Sequence, residues 1–129
     1  MTEIEVHSHA RRQLIVITAE VQRAVRESGV DRGLCHVYVP HTTAAVVINE
    51  NADPDVPRDL LAAYETLVPN ISFAHAEGNS DAHFLSTVLG CSVTVPVEAG
   101  RARLGTWQGI FFVELDGPRT RRVCVTVAP

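Results

Sequence analysis

Segments in which apolar and polar residues alternate, or in which β-branched residues cluster, predict β-strands along much of this chain. They are most frequent in the C-terminal third, where turns containing glycine separate them. Strands are predicted at residues 3–10, 13–18, 34–40, 43–49, 91–97, 102–107, 110–115 and 121–127. The short, hairpin-like links between the later strands favour antiparallel pairing.

Three other segments follow the helical period, with apolar residues on one stripe. Helices are predicted at residues 18–28, 53–68 and 84–89, with Thr18 as the N-cap of the first. Gly29, Pro69 and Gly90 are predicted to end them. The pattern therefore predicts an α+β fold, in which residues 1–129 form a single compact domain with a mainly antiparallel, β-sandwich-like sheet and about three helices.

The amino-acid composition argues against several classes of protein. The longest apolar runs are far too short to span a bilayer, and the first residues alternate and are acidic, unlike a secretory signal. The three cysteines are odd in number and widely spaced, as expected for free thiols in a reducing cytosol, and Cys91 is interpreted as a core residue. A formal charge of −4 argues against nucleic-acid binding, although all 11 basic residues are arginine. We therefore expect a cytoplasmic protein with no membrane or nucleic-acid partner.

Polar side chains concentrate in the nine residues from His75 to His83, directly ahead of the third predicted helix. This segment contains two imidazoles, two carboxylates, a carboxamide and a hydroxyl around Gly78. The first turn of a helix leaves backbone N–H groups unpaired, and its dipole favours anions. We therefore interpret this segment as the centre of a candidate site.

Three histidines lie next to predicted turns or helix starts: His41, His75 and His83. Three imidazoles that converge from separate elements can hold a zinc-like divalent ion with one position left open for chemistry. The alternative is that each is an ordinary surface or capping residue. Of the other histidines, His36 has apolar neighbours and is interpreted as a core residue.

Further polar residues each have a functional and a structural interpretation. Glu50 ends a predicted buried strand and is a candidate general base or histidine partner, or else a loop cap. Glu77 and Asp81 have the same two interpretations, functional or structural. The structural interpretation of Asp81 is that it stabilises the first turn of its helix. Arg119 is a candidate phosphate clamp or an exposed turn residue. Trp107, in a turn between two glycines, would lie near a ligand or another subunit, or in the core.

Five motifs, taken together and in this order, resemble the YjbQ-like family, also described as the secondary thiamine-phosphate synthase family. They lie at residues 41–45, 49–51, 75–83, 104–110 and 116–119 and span nearly the whole chain. The resemblance implies a compact α+β fold with a sandwich-like sheet, assembly as a homotrimer and a metal-binding histidine cluster. His41, His75 and His83 fall on the histidine motifs of that family.

The resemblance also implies an activity, which is weak or secondary in the family. A pyrimidine methyl diphosphate is joined to a thiazole phosphate with loss of pyrophosphate, so the partner is a small phosphate-containing molecule. Glu50, Asp81 and Arg119 are the catalytic candidates. Polar residues suited to binding the phosphates and heterocycles are Asn49, Asn51, Glu77, Asn79 and Gln108.

The residues leave the metal and the reaction class open. Three imidazoles favour zinc or a similar ion, whereas a diphosphate leaving group suits magnesium held by carboxylates. One alternative function is a metal-dependent hydrolase with Glu50 or Asp81 as the base. Another is a trimeric metal- or ligand-binding module without catalysis.

Overall fold

A computed structural model describes residues 1–129 and contains eight strands and three helices. The helices are α1 (Thr18–Ser28), α2 (Asp55–Leu67) and α3 (Ser80–Leu89). The strands are β1 (Thr2–His7), β2 (Gln13–Val16), β3 (Gly33–Tyr38), β4 (Ala44–Glu50), β5 (Ser92–Glu98), β6 (Arg101–Ala102), β7 (Gln108–Glu114) and β8 (Thr120–Ala128). The predicted α+β class with about three helices is confirmed. None of the helices is long and apolar enough to cross a membrane.

All strand pairs are antiparallel, and they form two sheets. The larger sheet has the order β1-β8-β3-β5-β6, and the smaller has the order β2-β7-β4. The main core lies between them, where Ile110 and Phe112 of β7 join buried valines of the larger sheet. Val21 and Val25 of α1 belong to the same core. This arrangement confirms the sandwich-like prediction.

The smaller sheet is covered on its other face by α3. Leu85 of α3 is fully buried against Val113, Leu115 and Ala45 in a second apolar cluster. The Ser86 hydroxyl donates a hydrogen bond to the carbonyl of Ala44, at 2.7 Å. The packing therefore holds the middle of α3 against the beginning of β4.

Two short links that look like hairpin turns in the sequence cross between the sheets instead. Residues 8–12 lead from β1 in the larger sheet to β2 in the smaller one, and residues 115–119 lead from β7 back to β8. The links run side by side, with Ser8 N–H donating to the Arg119 carbonyl at 3.1 Å and Gly117 N–H to the Arg11 carbonyl at 2.9 Å. A Cβ at Gly117 would lie 2.5 Å from the carbonyl oxygen of Ala10, so only glycine fits. We call these two links the double crossover.

Several local predictions were wrong. Only Ala102 of the predicted strand 102–107 lies in a strand, the two-residue β6, because the side chain of Gln108 accepts the Gly105 N–H at 2.8 Å and closes a turn. Thr18 is not the N-cap of α1, since its hydroxyl accepts the N–H of Ile110 at 2.9 Å. His36 is exposed rather than in the core, because its side chain stacks on Tyr38 on the open face of the larger sheet. Cys91 is also exposed, because it precedes β5 instead of lying within it.

Candidate functional site

The double crossover meets the start of α3 in a network of charged side chains. Arg11 Nη2 lies 2.9 Å from Asp81 Oδ2, and Arg12 donates to the same carboxylate oxygen. Arg119 Nη2 lies 3.2 Å from Asp116 Oδ2. We call these five residues the arginine–carboxylate cluster. Arg12 also reaches Glu65 at 2.5 Å, which anchors the C-terminal part of α2.

The arginines of this cluster differ in their access to solvent. The side chains of Arg11 and Arg119 are 54% and 51% exposed, whereas that of Arg12 is buried. Each exposed guanidinium is oriented by a carboxylate but keeps further N–H donors free for another acceptor. This pair therefore offers a site to which an anion with several oxygens can bind.

A buried ion pair lies next to the arginine–carboxylate cluster. Glu114 and Arg121 are almost fully buried, and their Nη2 and Oε2 atoms are 2.5 Å apart. Burial alone would raise the pKa of Glu114, but hydrogen bonds from Arg121, Ser8 and the Asp116 N–H lower it below its ordinary value. The carboxylate is therefore ionised at neutral pH.

This ion pair connects the segment after His41 to the segment containing Arg119. Arg121 Nη2 donates to the carbonyl and the hydroxyl of Thr43, at 3.0 and 2.9 Å. The Ser8 hydroxyl donates to Glu114 at 2.7 Å and accepts the N–H of Arg119 at 2.9 Å. The pair thus holds both segments in a fixed relation to each other.

Sequence reasoning missed most of this charged network. The missed residues are Arg11, Arg12, Glu114, Asp116 and Arg121. For Glu114 a signal was present, because it interrupts the apolar run at residues 110–115, and a charge at a buried strand position requires a partner. Asp116 lies in the motif at residues 116–119 that also contains Arg119, whereas no local pattern points to Arg11, Arg12 or Arg121.

The predicted histidines form a close pair and a separate third member. His75 and His83 meet edge to face with ring centroids 5.4 Å apart. His41 Nε2 instead accepts the backbone N–H of Arg122 at 3.1 Å. Burial lowers the pKa of His41, and the charge of Arg121 lowers it further, so the ring is neutral at neutral pH. The hydrogen bond then occupies the lone pair of Nε2, and the proton resides on Nδ1.

His41 and His83 nevertheless line one open cavity of about 430 Å³, together with Cys91. His41 also borders a second cavity of about 410 Å³ beside Arg122. No three histidine, cysteine, aspartate or glutamate side chains lie close enough to coordinate one ion within the chain. A three-histidine metal site therefore stays a prediction, and it would require His41 to give up its bond to Arg122.

Two of the predicted polar residues lie in the loop before α3. Asn79 Nδ2 donates to Asp116 Oδ2 at 2.9 Å, while its Oδ1 is buried and has no partner. Glu77 is exposed in the turn that the His75 carbonyl closes with the N–H of Gly78, at 3.3 Å. Asn79 therefore joins the cluster, and Glu77 lies at its rim.

The remaining predicted residues lie at the opposite end of β4 and β7. In the strand register Ala44 pairs with Glu114, and Glu50 pairs with Gln108. Six residues of strand therefore separate the two ends by about 20 Å. We call this end the amide end; it comprises Asn49, Glu50, Asn51, Trp107 and Gln108.

Side chains at the amide end are largely engaged in local backbone contacts. The carboxamide of Asn49 accepts the Glu50 N–H at 2.8 Å, and Gln108 closes its own turn. Asn51 N–H donates to the carbonyl of Trp107 at 2.7 Å. Trp107 is 65% exposed, so the alternative that it lies in the core is wrong.

The chain is similar in sequence to proteins from distant organisms. The family model for UPF0047 protein YjbQ-like matches residues 2–129. A UPF0047 protein of Methanocaldococcus jannaschii is 48% identical over 124 residues, which cover 95% of this chain and 90% of that protein. The UPF0047 protein YugU of Bacillus subtilis is 47% identical over 120 residues, covering 92% and 91%.

Solved structures show the same fold. An uncharacterized conserved protein of the YjbQ/UPF0047 family from Clostridium acetobutylicum superposes with a TM-score of 0.95 at 46% identity, covering 99% of this chain and 100% of that one. A YbjQ-like protein of unknown function from Sulfolobus solfataricus superposes with a TM-score of 0.93 at 37% identity, covering 98% and 94%. The resemblance inferred from the five motifs is confirmed. The chain therefore belongs to the YjbQ-like UPF0047 family.

Proposed function

We propose that this protein is a metal-binding enzyme that joins a pyrimidine methyl diphosphate to a thiazole phosphate and releases pyrophosphate. One observation carries the proposal: Arg11 and Arg119 are half-exposed and are held by Asp81 and Asp116 beside the first turn of α3. Guanidinium groups bind phosphate oxygens with paired hydrogen bonds, and a helix N-terminus favours anions. A diphosphate fits such a cluster better than a neutral substrate does.

The cluster suits the departure of pyrophosphate in particular. Negative charge grows on the leaving oxygens as the bond to the pyrimidine methyl carbon breaks, and Arg11 and Arg119 would stabilise that charge. Because Asp81 and Asp116 already orient the two guanidiniums, little side-chain freedom is lost when the substrate binds.

We place the metal, a zinc-like divalent ion, at His75 and His83. Their imidazole rings are direct neighbours, with centroids 5.4 Å apart, and these two side chains would hold the ion. An ion bound there would supply Lewis-acid chemistry close to Asp81, two residues before His83. Magnesium is the alternative, but it prefers oxygen ligands, and the carboxylates of Asp81 and Asp116 are already paired with arginines.

The alternative reactions are less well supported by the geometry. A hydrolase would need a free carboxylate as the base, but Asp81 accepts bonds from two guanidiniums, and Glu50 lies at the amide end. A non-catalytic binding module would use the same cluster without turnover. Assembly as a homotrimer and a cytoplasmic location remain part of the proposal and follow from the family resemblance and the composition.

The activity experiment compares the wild type with two variants. Protein loaded in turn with zinc and magnesium is given both substrates, and thiamine phosphate and pyrophosphate are measured. We expect equal amounts of the two products from the wild type and a loss of at least about tenfold in Arg119→Ala, since a lost charged hydrogen bond weakens transition-state binding by roughly 1.5–3 kcal/mol. Arg32→Ala, which removes an exposed arginine outside the cluster, is the matched control. Product formation that is equal in all three proteins, or absent from the wild type with either metal, would reject the synthase.

Metal content tests the histidine pair separately from catalysis. We expect near-stoichiometric metal in protein purified without chelator, and its loss in His75→Ala and His83→Ala. His41→Ala should keep the metal because His41 Nε2 is already occupied by the Arg122 N–H. Elemental analysis of the wild type and the three variants measures the metal bound per chain. Loss of metal in all three variants would instead support the three-histidine site.

A further inference from the structure

The residues predicted for one site lie at two ends of the molecule that cannot meet within a chain. The β4–β7 register sets the ends about 20 Å apart. Helix α2 gives the same distance independently, because its 13 residues rise by about 20 Å. It begins just after Asn51 at the amide end, and Glu65 near its C-terminus binds Arg12 of the cluster. Paired strands and a continuous helix do not shorten to bring these ends together.

The surface that joins the two ends is left partly uncovered. Helix α2 is amphipathic, yet none of its residues is fully buried within the chain. Leu67 near its end and Ile71 just after it are 48% and 60% exposed, and Trp107 at the amide end is 65% exposed. Apolar side chains are thus exposed at both ends of the molecule, where a second molecule can pack on them.

We propose that the site is shared between two copies of this chain, so that the amide end of one copy covers the arginine–carboxylate cluster of the next. The inference rests on the proposed function because it completes that site, but it concerns the partner and not the reaction. Glu50 and Asn51 of one copy then face the substrate bound at Arg119 of its neighbour.

The two ends are complementary in charge and in chemical character. The cluster presents the half-exposed guanidiniums of Arg11 and Arg119. The amide end presents the carboxylate of Glu50 and the open face of Trp107, on which a guanidinium can stack. Asp53, two residues after Asn51, adds an exposed carboxylate next to this end. A contact between different ends of identical chains is head-to-tail, and it closes into a ring when the rotation allows it. A second copy therefore suits this surface better than an unrelated partner.

The absence of lysine from the chain makes a sharp test available. Arg119→Lys places the only lysine side chain in the cluster, where a zero-length carbodiimide reagent can couple it to a carboxylate in contact. Coupling within the chain to Asp116, whose Oδ2 lies 3.2 Å from Arg119 Nη2, serves as the internal positive control. We expect an additional covalent dimer whose cross-linked peptides join position 119 to Glu50 or Asp53. Arg11→Lys provides a second, independent lysine at the same end.

Two controls define the outcome. Adding Glu50→Gln and Asp53→Asn to the Arg119→Lys variant should abolish the dimer but keep the link to Asp116. Arg32→Lys, with its lysine away from the cluster, should give no link to the amide end. If the lysine at position 119 couples to Asp116 and to no other carboxylate, the proposal of a shared site is overturned. This holds whether sedimentation shows the protein to be an oligomer or a monomer. The coupling reaction does not depend on turnover, so the two proposals can fail separately. A cross-link between copies without formation of thiamine phosphate rejects only the proposed reaction. Formation of thiamine phosphate without the cross-link rejects only the shared site.

Discussion

At the scale of single residues, the ion pair between Glu114 and Arg121 decides how the site is held. Removing two charges from water is costly, and the cost is offset only when hydrogen bonds satisfy both groups. Here Ser8, Thr43 and the backbone N–H groups of Leu115 and Asp116 provide them. Because these partners belong to the segments that carry His41 and Arg119, the pair stabilises the fold and orients the site at once.

The first prediction is that Glu114→Gln destabilises the protein in a pH-dependent way. Leaving Arg121 buried without its carboxylate costs about 3–5 kcal/mol. The folded-state pKa of Glu114 lies below its ordinary value of 4.5, so its contribution is complete above that pH and is lost as the pH falls through the folded-state pKa. Urea unfolding of the wild type and the variant, at the same protein concentration, should therefore show a large difference in the free energy of unfolding at neutral pH. This difference should shrink in acid. Glu98→Gln, at an exposed carboxylate, should show almost none.

The same residues show how far the sequence alone defines the site. His75, Asn79, Asp81 and His83 share one short segment, so their proximity could be predicted. Arg11 and Arg119 are 108 positions apart and meet only because the two links of the double crossover run side by side. No local pattern contains that information, since it depends on which sheet each strand joins.

At the scale of elements, periodicity located the helices and most strands but not their pairing. The short links at residues 8–12 and 115–119 look like hairpin turns in the sequence, yet β1 pairs with β8 and β2 pairs with β7. Turn residues favour a change of direction whether or not the chain stays in one sheet. The same limit explains why Glu50 was assigned to the histidine site: its position depends on the β4–β7 register.

The second prediction at this scale concerns α3, whose first turn carries Asp81 and His83. Leu85→Ala should lower the free energy of unfolding by about 2–5 kcal/mol because it leaves a cavity against Val113 and Leu115. Val88→Ala, on the exposed side of the same helix, should change it by less than about 0.5 kcal/mol. Denaturant unfolding measures both. Equal effects would mean that burial of Leu85 does not anchor this helix.

At the scale of the whole molecule, the two sheets and α2 form a rigid spacer between two sets of polar side chains. The sandwich core packs on one face of β7, and the second apolar cluster, under α3, packs on the other. Such a spacer is unfavourable for a site built within one chain but suits a ring of identical copies, in which each copy contributes one end to either neighbour. The function of the whole molecule then depends on assembly as well as on folding.

The last prediction uses Trp107, the only tryptophan, as a reporter of that assembly. In a separate chain the indole is 65% exposed, so acrylamide should quench its fluorescence almost as well as that of a free indole. If a second copy covers the amide end, the assembled protein should show weak quenching and blue-shifted emission, and both should revert on dilution as the copies dissociate. Arg119→Ala should move this transition to higher protein concentration, whereas Arg32→Ala should leave it unchanged. Strong quenching at every concentration, with sedimentation showing an oligomer, would place the contact between copies elsewhere and leave Trp107 open to solvent.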